Sequence, residues 1–197
     1  MSQYISDCCS LINLYCGFGG IQILHEIGNA WYIGNKALDE AQYARDLNAA
    51  GQPMRVDLTP TLLHSQYPLS VLTAMSTEEN AISVKLSKIM GDGEAQAFVL
   101  ARSKSLPLLI DDYAAIKGAI RSGISIHTIS TPEILILWAG QDASRRSQLP
   151  SVVDRIDKLA KFSPHKSSAH LEWWQAMLAK HKSQTIKITA SLILPTA

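Results

Sequence analysis

The sequence predicts an α/β protein built on a mainly parallel sheet. Three observations carry this. Short apolar runs of strand length, such as Trp31-Tyr32-Ile33 and Pro107-Leu108-Leu109-Ile110, alternate with segments of helical periodicity. Cap and stop signals punctuate the boundaries between them. Acidic residues recur where a strand ends or a helix begins: Asp7, Asp39-Glu40, Gly91-Asp92-Gly93-Glu94-Ala95 and Asp111-Asp112.

Tyr4-Ile5-Ser6 reads as the end of a first strand. Cys8, Leu11, Ile12 and Tyr15 then recur at helical spacing, and Gly17-Phe18-Gly19-Gly20 ends that helix. Ile21 to Ile27 reads as a second helix and Trp31 to Ile33 as a second strand. Lys36 to Ala50 is helix-like, with Leu38, Tyr43 and Leu47 among its apolar positions. Gly51 to Tyr67 is irregular, with Pro53 and Pro60, and admits a short strand over Met54 to Leu58. Leu69 to Met75 is apolar.

Ser76 and Glu79 form a capping box, and Ile82, Leu86, Ile89 and Met90 make the stripe of the helix that follows, closed by Gly91. Glu94 lies in the first turn of a helix running to about Ser103. Its near lack of polar positions marks it as central and buried. A strand over Pro107 to Ile110, a helix over Tyr113 to Arg121, a turn at Gly123 and a strand over Ser125 to Ile129 follow. Thr131-Pro132-Glu133 starts another helix. Ser151-x-x-Asp154 reads as the cap of a helix carrying Val153, Ile156 and Leu159, and His170 to His181 as a last helix. No repeat and no convincing linker is visible; Ser163 to Ser168 is the best candidate, dividing a domain over 1–162 from a helical extension over 163–197.

The 197 residues, 47% hydrophobic and 18% charged, fit one globular domain with an appendage. The formal net charge of +1 shows no strongly basic nucleic-acid-binding surface in the totals. No apolar run approaches the ~20 residues that span a bilayer. The start, Met1-Ser2-Gln3-Tyr4, lacks a basic and hydrophobic leader, so a cytoplasmic location and no membrane partner are expected. Cys8, Cys9 and Cys16 offer neither a disulfide framework nor a zinc array and read as small buried thiols.

In an open parallel sheet the loops at the carboxyl ends of strands converge on the ligand crevice. Carboxylates brought together there repel and raise one another's pKa, a conflict that a divalent cation removes. Oxygen-only ligation selects Mg²⁺ or Mn²⁺ over Zn²⁺. Such an ion binds phosphate oxygens and activates water for attack on phosphorus.

These residues resemble the motifs of PIN-domain proteins. Asp7 in Ile-Ser-Asp-Cys-Cys-Ser-Leu-Ile resembles the first motif, and Lys36-Ala37-Leu38-Asp39-Glu40 the second, with Glu40 at the acidic position. Gly93-Glu94-Ala95-Gln96-Ala97 followed by Ile110-Asp111-Asp112-Tyr113-Ala114 resembles the Gly-Glu-x-x-Ala and Ile-Asp-Asp pattern of a subgroup related to VapC-type toxin ribonucleases. Glu94 stands where most of the wider family has Asp, a change this subgroup shares. The resemblance covers roughly Gln3 to Phe162. It implies a three-layer α/β/α fold and an endoribonuclease dependent on Mg²⁺ or Mn²⁺. It further implies Asp7, Glu40, Glu94, Asp111 and Asp112 as metal-holding and catalytic residues, RNA as substrate, and a small antitoxin and a second copy of the chain as partners.

Singly, each carboxylate has a plainer reading: Asp7 and Asp112 as helix caps, Glu40 and Asp39 as solvated residues, Glu94 as a first-turn dipole residue. The choice between Asp111 and Asp112 as the ligand stays open. Ser10 could hold a metal-bound water or be a buried helix hydroxyl. Arg45, Arg102, Lys104, Lys117 and Arg121 could contact RNA phosphates or form a solvated face. The histidines, His64 among them, show no ligand spacing, and Trp173-Trp174 reads as packing. The rival functional class is a PIN-like binding or assembly protein without catalysis; a third reading is a metal hydrolase of small phosphate esters.

Overall fold

The computed structural model describes residues 3–27, 30–58 and 69–193, with side chains through residue 186. The expectations that fall on residues 59–67, Pro60 and His64 included, lie outside the described residues.

The centre is a five-stranded sheet in which every pair is parallel, in the order β5-β2-β1-β6-β7. β1 (Gln3–Ser6) lies in the middle, paired with β2 (Ala30–Gly34) and β6 (Leu108–Leu109); β5 (Leu69–Leu72) and β7 (Thr128–Ile129) take the edges. Successive side chains of a strand point to opposite faces. Tyr4 and Leu109 accordingly join one core, with Leu11, Leu14, Trp31 and Trp138, while Ile5 and Leu108 join another, with Phe98, Leu100 and Ile110. Two cores on two faces of one sheet make a three-layer α/β/α architecture: the parallel α/β sheet that the alternating pattern predicts, in the layering that the resemblance implies.

The first layer holds α1 (Cys8–Phe18), α2 (Ile23–Ile27), α7 (Thr131–Gly140), α8 (Ala143–Arg155) and the start of α9 (Leu171–Ile193). The second holds α4 (Thr77–Leu86), α5 (Asp92–Lys104) and α6 (Tyr113–Arg121). Asp7 caps α1, and Gly19, with φ at 68°, closes it in the left-handed region where glycine carries no Cβ penalty. The Ser76–Glu79 capping box is present. Trp174 is fully buried, so the helix after Ser168 shares the main core and its tryptophan is packing. Among the described residues, no helix is long and apolar enough to cross a membrane.

Three local readings need correction. The expected helix over Lys36 to Ala50 stops early, as α3 (Asn35–Glu40), and the chain turns into an antiparallel hairpin of β3 (Tyr43–Leu47) and β4 (Pro53–Asp57). Asn48 builds its turn: its Oδ1 accepts from the Ala50 and Gln52 amides, and Gly51 takes a φ of 73°. β4 itself matches the strand expected there. The stripe through Ile89 and Met90 overshoots, because α4 ends at Leu86 and Ile89 is 54% exposed. Ser151 and Asp154 are not caps; both lie inside α8, which Asp142 caps and which relaxes into a π-turn over Ile156–Ala160. α7 starts at Thr131 with Pro132 in its first turn, as expected, and Ser130 caps it, reciprocating with Glu133.

Candidate functional site

The five expected carboxylates come from four segments of the chain: the end of β1, the end of α3, the first turn of α5 and the loop after β6. Asp7 follows β1 directly. Its Oδ1 accepts from the Ser10 amide at 2.9 Å, while Oδ2 is buried with no hydrogen-bond partner. Burial pushes its carboxyl well above the ordinary range, and neighbouring Cys9 and Asp111 add to this against the Ser10 hydrogen bonds.

Asp111 follows β6, the strand beside β1. Its Oδ1 accepts from the Thr131 amide at 2.8 Å, and Oδ2 accepts from Ser10 Oγ at 3.1 Å, Asn13 Nδ2 at 3.0 Å and the Thr131 hydroxyl. Burial still raises its pKa against these donors. Ser10 therefore couples the two aspartates, its amide on Asp7 and its hydroxyl on Asp111. That hydroxyl is tied into the protein, as the buried-hydroxyl reading has it. Asp112 caps α6, accepting from the Ala115 amide at 2.8 Å.

Glu94 stands in the first turn of α5. Its Oε2 accepts from the Gly91 amide at 3.0 Å; burial raises its pKa, with Asp112 and Glu40 adding to the rise. Glu40, the last residue of α3, accepts from the Gly93 amide at 3.2 Å through Oε1. The approach is close because Gly93 has no side chain: a Cβ there would stand 2.7 Å from Glu40 Oε2 and 3.0 Å from the Ala37 Cα.

Glu94, Asp111 and Asp112 line one cavity of about 490 Å³ together with Cys9, Asn13, Lys161 and His165. Asp7 is linked to Asp111 of this cavity through Ser10, and Glu40, bonded to the Gly93 amide, is near enough to Glu94 to raise its pKa. The structure thus brings all five expected residues to one region. Among the described residues, no three His, Cys, Asp or Glu side chains are set closely enough to hold a metal ion. Each of the five carboxylates accepts from a backbone amide through one oxygen.

Sequence reasoning missed Asn13, Thr131 and Lys161. Asn13 had a signal: a polar residue three positions after Ser10 on the same face of an otherwise apolar helix. Thr131 and Lys161 had none, since only the fold carries α7 and the π-turn to Asp111. His165 stacks on Tyr113 with ring centroids 4.5 Å apart. Cys8 and Cys16 are the buried thiols expected; Cys9 is exposed at the cavity.

A parallel α/β/α sheet with acidic residues at its carboxyl edge defines the class that fold and site support. Comparison with protein-family models gives no match, and none of the curated proteins compared matches the chain significantly.

Proposed function

We propose that the protein is a PIN-like endoribonuclease that hydrolyses RNA phosphodiester bonds with Mg²⁺ or Mn²⁺. The observation that carries this reading is a buried aspartate whose Oδ2 has no protein partner, with Asp111 beside it and Asp112 and Glu40 gathered about Glu94 nearby. An unpaired carboxylate in a low-dielectric setting is costly, and a hard cation is its natural counter-charge. The carboxylates offer oxygen donors only, the ligand chemistry such an ion takes, and they would have to draw closer to share it. Asp7 and Asp111 would hold it at the sheet edge, with Glu94, Asp112 and Glu40 completing the acidic wall. The ion, when bound, supplies Lewis-acid polarisation of the phosphoryl group and a lower pKa for the attacking water.

The chain's own residues do the positioning. Ser10, Asn13 and Thr131 fix the rotamer of Asp111, and the Gly91 amide fixes that of Glu94. Asp7→Asn and Glu94→Gln should each lower metal-dependent RNA cleavage at least about 100-fold. Circular dichroism should show both folded. Full turnover in EDTA, or unchanged rates in both variants, would sink the mechanism. RNA as substrate, a small antitoxin as partner and homodimer formation belong to the same proposal.

One observation favours the rival, a PIN-like binding protein without catalysis. Glu40, Glu94 and Asp112 each accept from a backbone amide, as ordinary cap and terminus residues do. A calorimetric Mn²⁺ titration separates the two. The nuclease binds the ion and loses that binding in Asp7→Asn; the rival shows no such heat.

A further inference from the structure

The β3–β4 hairpin presents a like-charge pair. Its register sets Arg45 directly opposite Arg55, and both side chains are exposed. Like charges directly opposite one another destabilise a strand pair, so their juxtaposition calls for an anion. Asp46, on the other face, is engaged by Arg155 at 2.7 Å. Asp57, on the same face, lies opposite Tyr43. The Arg55 guanidinium sits 3.3 Å over the Tyr43 ring, which leaves its fork of donors held in place beside an aromatic surface.

The surroundings give this pair a direction. Tyr43, Arg45, Arg55 and Lys161 line a groove of about 670 Å³ together with Ile12 and Met54. Lys161 ends the π-turn with φ at 58°, a left-handed conformation uncommon for a non-glycine residue. Lys161 and its neighbour Ala160 also line the carboxylate cavity, so groove and cavity adjoin at this residue. A chain with a net charge of only +1 has thus gathered three cations beside its acidic pocket.

We propose that this groove is a track for single-stranded RNA, with Arg45, Arg55 and Lys161 on successive phosphates and Tyr43 as a stacking surface, delivering the strand to the carboxylate cavity. The assignment rests on the ribonuclease reading for what happens at the end of the track. Basic grooves with aromatic platforms bind single strands by phosphate contact and base stacking.

The test is fluorescence anisotropy of a labelled oligouridine titrated with the full chain in EDTA, where binding is read without metal-dependent cleavage. The Arg45→Ala/Arg55→Ala double variant should bind about ten-fold more weakly, with a log–log salt slope shallower by roughly 1.4, the value for two phosphates on a single strand. Lys161→Ala should weaken binding about three-fold. Removing a like-charge pair leaves the melting temperature unchanged or higher, and Arg45→Lys/Arg55→Lys should retain most of the affinity. Absence of binding by the wild type, or unchanged affinity and slope in the double variant, overturns the track. So does a blunt RNA duplex bound as tightly as the single strand. Failure of the ribonuclease reading looks different: the groove variants lose binding, but the wild type does not cleave RNA in Mn²⁺.

Discussion

Asp7 shows how much of this site is set by one residue's surroundings. It is 1% exposed, caps α1 through one oxygen and leaves the other unpaired, and burial raises its pKa. A carboxyl whose folded pKa exceeds its unfolded value binds more protons folded than unfolded, so stability falls as pH rises through that interval. Asp111 and Glu94 are raised as well and act in the same direction. The metal-free protein should therefore lose melting temperature as pH climbs from the ordinary carboxylate range through the raised values, and Asp7→Asn should flatten that loss. At neutral pH we expect this variant to be more stable by on the order of 1 kcal/mol, since the amide still caps through its oxygen and no charge is buried. The gain should vanish in acid, where Asp7 is protonated; a gain that persists there refutes the buried-charge account. The same protons compete with a cation, so Mn²⁺ affinity measured by calorimetry should rise with pH across the same window.

At the scale of elements, α3 and α5 meet over Gly93. A Cβ at that position would press on the Glu40 carboxylate and on the Ala37 backbone, and only the first is flexible enough to yield. Gly93→Ala should cost about 1–3 kcal/mol by overpacking and push Glu40 away from the α5 terminus. Its melting curve and its Mn²⁺ affinity should fall together; a destabilised variant with wild-type Mn²⁺ affinity would remove Glu40 from the site. Gly93 belongs to a motif quoted from the sequence, yet its reason, close approach of another helix, is a tertiary fact. The hairpin marks the opposite limit. Tyr43 to Leu47 carries no apolar alternation, because only Ala44 is buried there, and its alanine-rich flanks favour helix. Asn48 and Gly51 were the available turn signals, and a residue with the side-chain acceptor of Asn48 is what a tight reversal needs.

Across the whole molecule, the parallel sheet was legible because strands β1, β2 and β6 are short apolar runs between well-capped helices, and a parallel neighbour requires a helical crossover; its strand order is a tertiary fact that only the structure supplies. The meeting of Asp7 with Asp111 follows from that order, since β1 and β6 are adjacent and both end at the same edge. What joins the hairpin to this frame was not legible, because it depends on Arg155, near the end of α8. Its guanidinium holds Asp46 of β3 at 2.7 Å, and its Nε reaches the carbonyls of Cys16 and Gly17 at 3.1 Å each. One side chain thus fastens the hairpin, the end of α1 and the π-turn together. Both partners of the ion pair are three-quarters buried, so it is less screened than a surface pair, and charge-assisted hydrogen bonds of this kind contribute about 1.5–3 kcal/mol. Arg155→Met, which keeps much of the aliphatic stem, should therefore destabilise the protein by about that amount. Asp46→Asn, which keeps an acceptor, should cost less. If the hairpin is held against the π-turn by this clamp, amide exchange in β3 and β4 should accelerate in Arg155→Met before exchange in β1 does. Uniform acceleration across the sheet would show that Arg155 supports the core at large, and exchange unchanged in the hairpin would show that the hairpin stays docked without it.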